Sequence, residues 1–436
     1  HLIPCPFRGG AVRNERNAAL EIGLSLCYNK QNSHWDIRRR FTMIVTRPPL
    51  GWNTWNTFGA NISEELIMQS ADAMVREGLL DAGYEYVVID DIWALKERDK
   101  AGRLVPDPEK FPHGMKYLSD YIHSKGLKFG MYSSAGYQTC AGYPASFEYE
   151  WTDAASFAEW GVDYLKYDYC YKPTNVRPDI LYKRMALALA NSGRDIVFSA
   201  CSWGVDNTRQ WIKETGAHLW RSTGDIYDGW PNIKMLAHKE MQEMEYNGCG
   251  CFNDMDMLVV GMNGSGNVGV GGCTFEEYKT HFSFWAFMGS PLMIGCDIRN
   301  MTDETKKILT NKEVLRVDQD AAYRQPFFLN SMPYEPNKDR GPGEAFWNYY
   351  PLDCPIMARF LDDGEIALGF FNFSDDKRTG WFTLDNLGLP ITAGKTIEAT
   401  DLWTGDVWRP EGGVFKFDWL EGHSCQIFRA KIVDMK

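Results

Sequence analysis

One pattern governs the chain from residue 49 to about residue 310. A short run of β-branched and aromatic residues ends in polar side chains and is followed by a longer amphipathic stretch. The strand-like segments are "PLGWNTW", "YEYVVIDDIW", "KFGMYSS", "DYLKYDYC", "IVFSACSW", "HLWRSTGDI", "CFNDMDML" and "SPLMIGCDI". Between them, Ser63 to Leu80 sets Leu66, Ile67, Ala71, Met74, Val75 and Leu79 on one side at helical spacing. Thr274-Phe-Glu-Glu277 spells a capping box, in which hydroxyl and carboxylate satisfy first-turn backbone donors. Eight strand–helix units in about 250 residues predict an α/β fold, a (β/α)8 TIM barrel, whose chemistry sits at the C-terminal strand ends. Polar residues gather at those ends: Trp55, Asp90 and Asp91, Tyr132, Lys166 and Asp168, Ser202 and Trp203, Arg221 and Asp225, Asp254 and Asp256.

After about residue 315 the pattern changes to short strands broken by Gly, Asp and Pro, from "EAFWNYY" to "SCQIFRAKIV". This predicts a C-terminal antiparallel β-sandwich. The expected domains are an N-terminal extension over 1–42, a barrel over 43–315 and a β-sandwich over 316–436. The extension has no start methionine, and Glu21 interrupts the faintly apolar stretch Ala18 to Tyr28. No clear signal peptide is present, so residues 1–42 read as non-native or poorly ordered. The compartment, cytoplasmic or secreted, stays open. Four sequons at Asn61, Asn263, Asn300 and Asn372 take effect only in a eukaryotic secretory pathway.

Composition narrows the function. A net charge of −12 argues against nucleic acid, which rewards cations that neutralise phosphates. No run approaches the ~18 apolar residues of a membrane span. Eleven scattered cysteines without paired CxxC spacing form neither a disulfide scaffold nor a zinc site. Sixteen tryptophans supply apolar faces of the kind that stack on sugars or fill a core. A homo-oligomer is left open.

Lys166 and Asp168 interrupt a buried strand two positions apart, hence on one face. Either they form a structural ion pair or they serve chemistry. In "WRSTGDI", Arg221 and Asp225 end another strand, where Asp225 is a helix cap or a site residue. Adjacent Asp90 and Asp91 need surrounding donors: sugar hydroxyls, or a metal, though no histidine accompanies them. Trp55 suits a sugar subsite, and Trp52 suits a plug of the barrel. Gly264-Ser-Gly266-Asn-Val-Gly269 matches a dinucleotide-binding spacing, but it lies in the seventh unit with no acidic residue about 20 positions on, and reads as a flexible loop. No GxSxG, HExxH or Walker pattern occurs. Two carboxylates on separate strands among hydroxyl-binding groups are what glycoside hydrolysis requires.

Together "PPLGWNTWNTF", "IDDIW", "DPEKFPHGMKYLSDYIHSKGLKFGMYSSAG", "TCAGYP", "WGVDYLKYDYCY", "CSWG", "WRSTGDI", "NDMDML" and "SPLMIGCDIR" resemble the melibiase-type α-galactosidases and α-N-acetylgalactosaminidases of glycoside hydrolase family 27. The resemblance spans nearly the whole chain after residue 42. It implies a retaining hydrolase of terminal α-linked galactose without a metal or organic cofactor. Asp168 would be the nucleophile and Asp225 the acid and base, with the charge of Asp168 raising the pKa of Asp225. Lys166 and Arg221 would contact the sugar, and Asp90 and Asp91 would hold its O4 and O6. Trp55 would cover the ring, and Tyr132, Trp203, Asp256 and Met257 would complete the pocket. Cys140 and Cys170 resemble the family's disulfide beside the nucleophile. A second family disulfide is missing, since Ala60 and Ile92 occupy its positions. Ser202 stands where many α-galactosidases have Glu, and Val205 stands where animal α-N-acetylgalactosaminidases have Ala. Tyr169 and Met255 are also atypical. Those departures keep α-N-acetylgalactosaminidase and β-L-arabinopyranosidase open as alternatives. A non-catalytic sugar-binding barrel would lack one of the two aspartates.

Overall fold

In the computed structural model, which describes residues 44–329 and 352–435, the eight segments pair as one parallel sheet. Its strands are β1 (Leu50–Asn53), β2 (Tyr86–Val88), β3 (Lys128–Ser134), β4 (Tyr164–Asp168), β5 (Val197–Ala200), β6 (Leu219–Arg221), β7 (Phe252–Asp254) and β8 (Leu292–Ile294). From β1 to β7 each strand pairs with the next, and β8 pairs with β1 through Leu50 and Leu292. A bridge from Leu258, just past β7, to Ile294 closes the ring. The chain thus forms the predicted barrel, with strands such as β1, β2 and β5 buried along their length because a closed parallel sheet covered by helices is buried on both faces. Trp52 plugs it, fully buried and donating Nε1–H to the Cys296 carbonyl at 2.9 Å.

Helices α1 (Glu64–Arg76), α2 (Gly114–Ser124), α3 (Glu150–Trp160), α4 (Pro178–Ala190), α5 (Trp230–Glu240), α6 (Phe275–Met288), α7 (Asp303–Leu309) and α8 (Lys312–Asp318) cover the outside. The predicted first helix begins at Ser63, whose hydroxyl accepts from the Leu66 N–H. It stops sooner than its periodicity suggests, because Gly78 takes φ +77° and restarts the chain as a separate turn. Ile67, Ala71 and Met74 face the core, whereas Val75 is exposed. The Thr274 capping box forms in both directions, at 2.7 and 3.3 Å. In the fifth unit two short 3-10 turns, Thr208–Gln210 and Ile212–Glu214, replace the helix.

The C-terminal region builds β9 (Phe327–Phe328), β10 (Ile356–Phe360), β11 (Ile366–Asn372), β12 (Trp381–Thr383), β13 (Lys395–Asp401), β14 (Val407–Trp408), β15 (Val414–Lys416) and β16 (Ser424–Asp434). Six of them form one antiparallel sheet in the order β9-β10-β11-β16-β13-β14, and β12 pairs with β15. Every residue of β11 is buried. Ile366, Leu368 and Phe370 enter this region's own core, while Ala367 and Phe371 join the barrel core. There Phe371 packs edge-on against Phe284 and Phe287 of α6, at 4.9 and 5.5 Å. This two-sided burial explains why α6 is buried nearly all round. We place the passage from barrel to sheet between Asp318 and Phe327. The expected extension over 1–42, the loop predicted after residue 329 and the strand "EAFWNYY" lie outside the described residues. Of the sequons, Asn372 is fully buried and its amide donates to the carbonyls of Asp376, Leu420 and Glu421, so its role is structural.

Candidate active site

The C-terminal strand ends enclose a cavity of about 100 Å3. Trp55, Asp90, Asp91, Tyr132, Cys140, Lys166, Asp168, Trp203, Asp225, Asp256 and Met257 all line it. A larger cavity of about 560 Å3 opens at the N-terminal ends of the strands, among residues such as Arg47, Glu85 and Lys128, and neither candidate catalytic carboxylate lines it.

Asp168 is the last residue of β4 and is 6% exposed. Its Oδ1 accepts the Tyr169 N–H at 2.8 Å, and its Oδ2 accepts the Tyr132 hydroxyl at 3.0 Å. Cys140 and Cys170 form the disulfide, and the Cys140 sulfur lies 3.5 Å from Asp168 Oδ2. The bridge seats against Gly136, where a Cβ would stand 2.0 Å from the Cys170 carbonyl oxygen, so only glycine fits.

The two cations of the site are each bonded to carboxylates other than Asp168. Lys166 shares a strand face with Asp168, yet its ammonium bonds Asp90 Oδ2 at 2.7 Å, across β3 on β2's end. Asp90 also accepts from the Asn53 amide at 2.9 Å and the Asp91 N–H at 3.0 Å. An i, i+2 pair on a strand points in parallel, so a long ammonium reaches a neighbouring strand more easily than its own next carboxylate. Arg221, expected at the sugar, stands behind the cavity lining and clamps Asp225 at 2.7 Å and Asp256 at 2.8 Å. Ser202 also stands behind it, fully buried and bonded to the Thr208 hydroxyl at 2.9 Å.

These contacts polarise the carboxylate pair. Burial pushes the Asp168 carboxyl up to about 6, against the lowering pull of Lys166 and its two hydrogen bonds, and the charge of Asp225 adds to the rise. Burial also raises Asp225, but the Arg221 charge and hydrogen bond outweigh it and hold Asp225 below its ordinary value. The expected elevation of Asp225 by Asp168 is therefore not present in the resting site. The reason is that a guanidinium clamps Asp225, whereas the enclosed Asp168 accepts from neutral donors, the Tyr169 N–H and the Tyr132 hydroxyl.

Several lining residues escaped the sequence reading. Asn56, Ile226 and Tyr227 directly follow Trp55 and Asp225, and their place in the same motifs was the available signal. Val268 comes from the glycine-rich loop, which folds back so that the Val268 N–H donates to the Asn56 carbonyl at 3.1 Å. No local signal marks it. The atypical Tyr169 packs edge-on against Trp203 at 6.1 Å and anchors its hydroxyl on Asp206 at 2.8 Å, buttressing the cavity wall.

The sequence profile of the family described as alpha galactosidase A matches residues 47–320, and that of the alpha galactosidase C-terminal beta sandwich domain matches residues 353–430. The chain belongs to the alpha galactosidase A family. An alpha-galactosidase of Cyamopsis tetragonoloba is 39% identical to this family member over 398 residues, covering 91% of this chain and 89% of the relative. The crystal structure of alpha-galactosidase I from Mortierella vinacea superposes with a TM-score of 0.77 at 33% identity, covering 89% of this chain and 97% of that one. The structure of the Saccharomyces cerevisiae alpha-galactosidase with raffinose gives 0.75 at 27% identity, covering 90% and 99%.

Proposed function

We propose that this family member is a retaining exo-α-galactosidase that removes terminal α-linked galactose from oligosaccharides or glycans. The observation that carries the reading is that Asp168 and Asp225, brought by β4 and by the loop after β6, line one cavity walled by hydroxyl-binding groups and tryptophans. Raffinose, seen in the yeast relative, is a substrate of the fitting class.

In this reading Asp168 attacks the anomeric carbon as the glycosidic bond breaks, giving a β-linked glycosyl-enzyme. Asp225 delivers its proton to the leaving oxygen. It then takes a proton from water, which attacks the anomeric carbon and frees Asp168. Asp90 and Asp91 accept sugar hydroxyls, and Trp55 lies against the ring. The first step needs one proton on the pair, located on Asp225. A bound sugar withdraws Asp225 from water, which favours its neutral form, and Lys166 favours an ionised Asp168. Ser202 in place of Glu opens space beside the sugar, and galactose is favoured over the acetamido sugar because Val205 keeps bulk where animal α-N-acetylgalactosaminidases have Ala.

The test is turnover of nitrophenyl α-galactoside against nitrophenyl α-N-acetylgalactosaminide by the protein and its Asp168→Asn variant. The galactoside should be cleaved with retention, and the variant should be inactive. Cleavage of the acetamido sugar alone would refute the specificity, and activity surviving in the variant would refute the nucleophile.

A further inference from the structure

Asp91 owes its place in the cavity to an unusual stretch of backbone. Ile92, the next residue, takes φ +69°, a conformation that β-branched side chains strongly avoid. The turn aims the Ile92 N–H back at Asp91 Oδ1, 2.7 Å away, while the Ala141 N–H and Thr139 bind the same carboxylate. A strained turn persists only where its surroundings hold it. On its carbonyl side the turn meets Lys110, in the loop before α2. Its half-buried ammonium donates to the Ile92 carbonyl at 2.9 Å and to the Ala60 carbonyl at 3.1 Å, spanning the loops after β1 and β2. Among the described residues these carbonyls are its hydrogen-bond partners, and Asp107 and Asp91 lie near enough to act on its charge. Its own carbonyl accepts the Glu64 N–H at 2.8 Å, fixing the stem to the start of α1.

We propose that Lys110 is a positioning residue, an ammonium staple between Ala60 and Ile92 that keeps the Ile92 turn closed and Asp91 aimed at the sugar. Ala60 and Ile92 are the two positions where the sequence resemblance leads one to expect a disulfide that this chain lacks. A charge-assisted contact to two carbonyls thus occupies the place of a covalent link. The inference rests on the reading of Asp91 as a hydroxyl-binding carboxylate.

The experiment measures galactose inhibition, kcat, KM and melting temperature for the full chain and three variants. Lys110→Met loses the donor, and its galactose inhibition constant and KM should rise about tenfold, the loss expected for one charge-assisted hydrogen bond, with a smaller change in kcat. Lys110→Arg keeps a cationic donor and should stay near wild type. Ala60→Cys with Ile92→Cys in the Lys110→Met background, its bond verified by mass, should return the inhibition constant to within about threefold of wild type. An unchanged inhibition constant in Lys110→Met would overturn the proposal. So would a cysteine pair that fails to oxidise, or one that restores the melting temperature without restoring galactose binding. Wild-type protein that does not bind galactose would refute the proposed function itself, and this inference with it.

Discussion

Replacing Lys166 by Met removes the cation that Asp90 depends on. The Lys166 and Asp90 side chains are 14% and 3% exposed, and their contact is 2.7 Å. At that distance and an effective dielectric near 20, Coulomb's law gives about 6 kcal/mol of attraction. Desolvation of both groups offsets most of it, so the pair contributes little net stability, yet removing one partner strands the other. Asp90 would keep only neutral donors, the Asn53 amide and the Asp91 N–H. The expected cost of Lys166→Met is therefore about 3–5 kcal/mol, and that of Asp90→Asn is similar. The double variant should regain at least ~2 kcal/mol over the sum of the two. Full recovery is not expected, because Lys166 also stabilises the ionised forms of Asp168, Asp254 and Asp256. The assay is urea denaturation near neutral pH, followed by tryptophan fluorescence, at low and at about 0.5 M salt; a buried pair is screened little. Single costs that simply add, or a coupling that disappears in salt, would refute the reasoning and make the pair a solvated surface contact.

Two further outcomes follow from the site. The active form holds one proton on the Asp168–Asp225 pair, wherever that proton rests, so kcat/KM should be bell-shaped in pH. As pH rises through about 6 the last proton leaves and the acid is lost; as pH falls below the ordinary aspartate range a second proton binds and silences the nucleophile. A kcat/KM on nitrophenyl α-galactoside that stays flat well above neutrality would contradict this. The disulfide between Cys140 and Cys170 closes a segment with a sequence separation of 30. Its removal in Cys140→Ser with Cys170→Ser should cost about 4 kcal/mol through loop entropy of the unfolded chain, read as a lower denaturation midpoint.

Much of this protein was legible in one dimension. Strand ends showed as polar residues after apolar runs, because a barrel strand is buried along its length and meets solvent and substrate only at its tip. Asp168, Asp225 and most of the wall were readable for that reason, as was the cap at Thr274, which depends on four consecutive residues. The break at Gly78 was harder to see, since helical periodicity continues past it while the backbone does not.

The sequence by itself determined the alternation of strand and helix, the set of charged groups delivered to the C-terminal rim, and the family. Only the tertiary structure decided which charge meets which. Lys166 leaves its own strand for Asp90, Arg221 clamps Asp225 and Asp256, Ser202 turns away to Thr208, and Lys110 reaches two loops distant in sequence. The physical reason is that periodicity fixes the face a side chain takes relative to its own backbone. Partner choice depends on distances between strands and loops, which exist only once the barrel has closed.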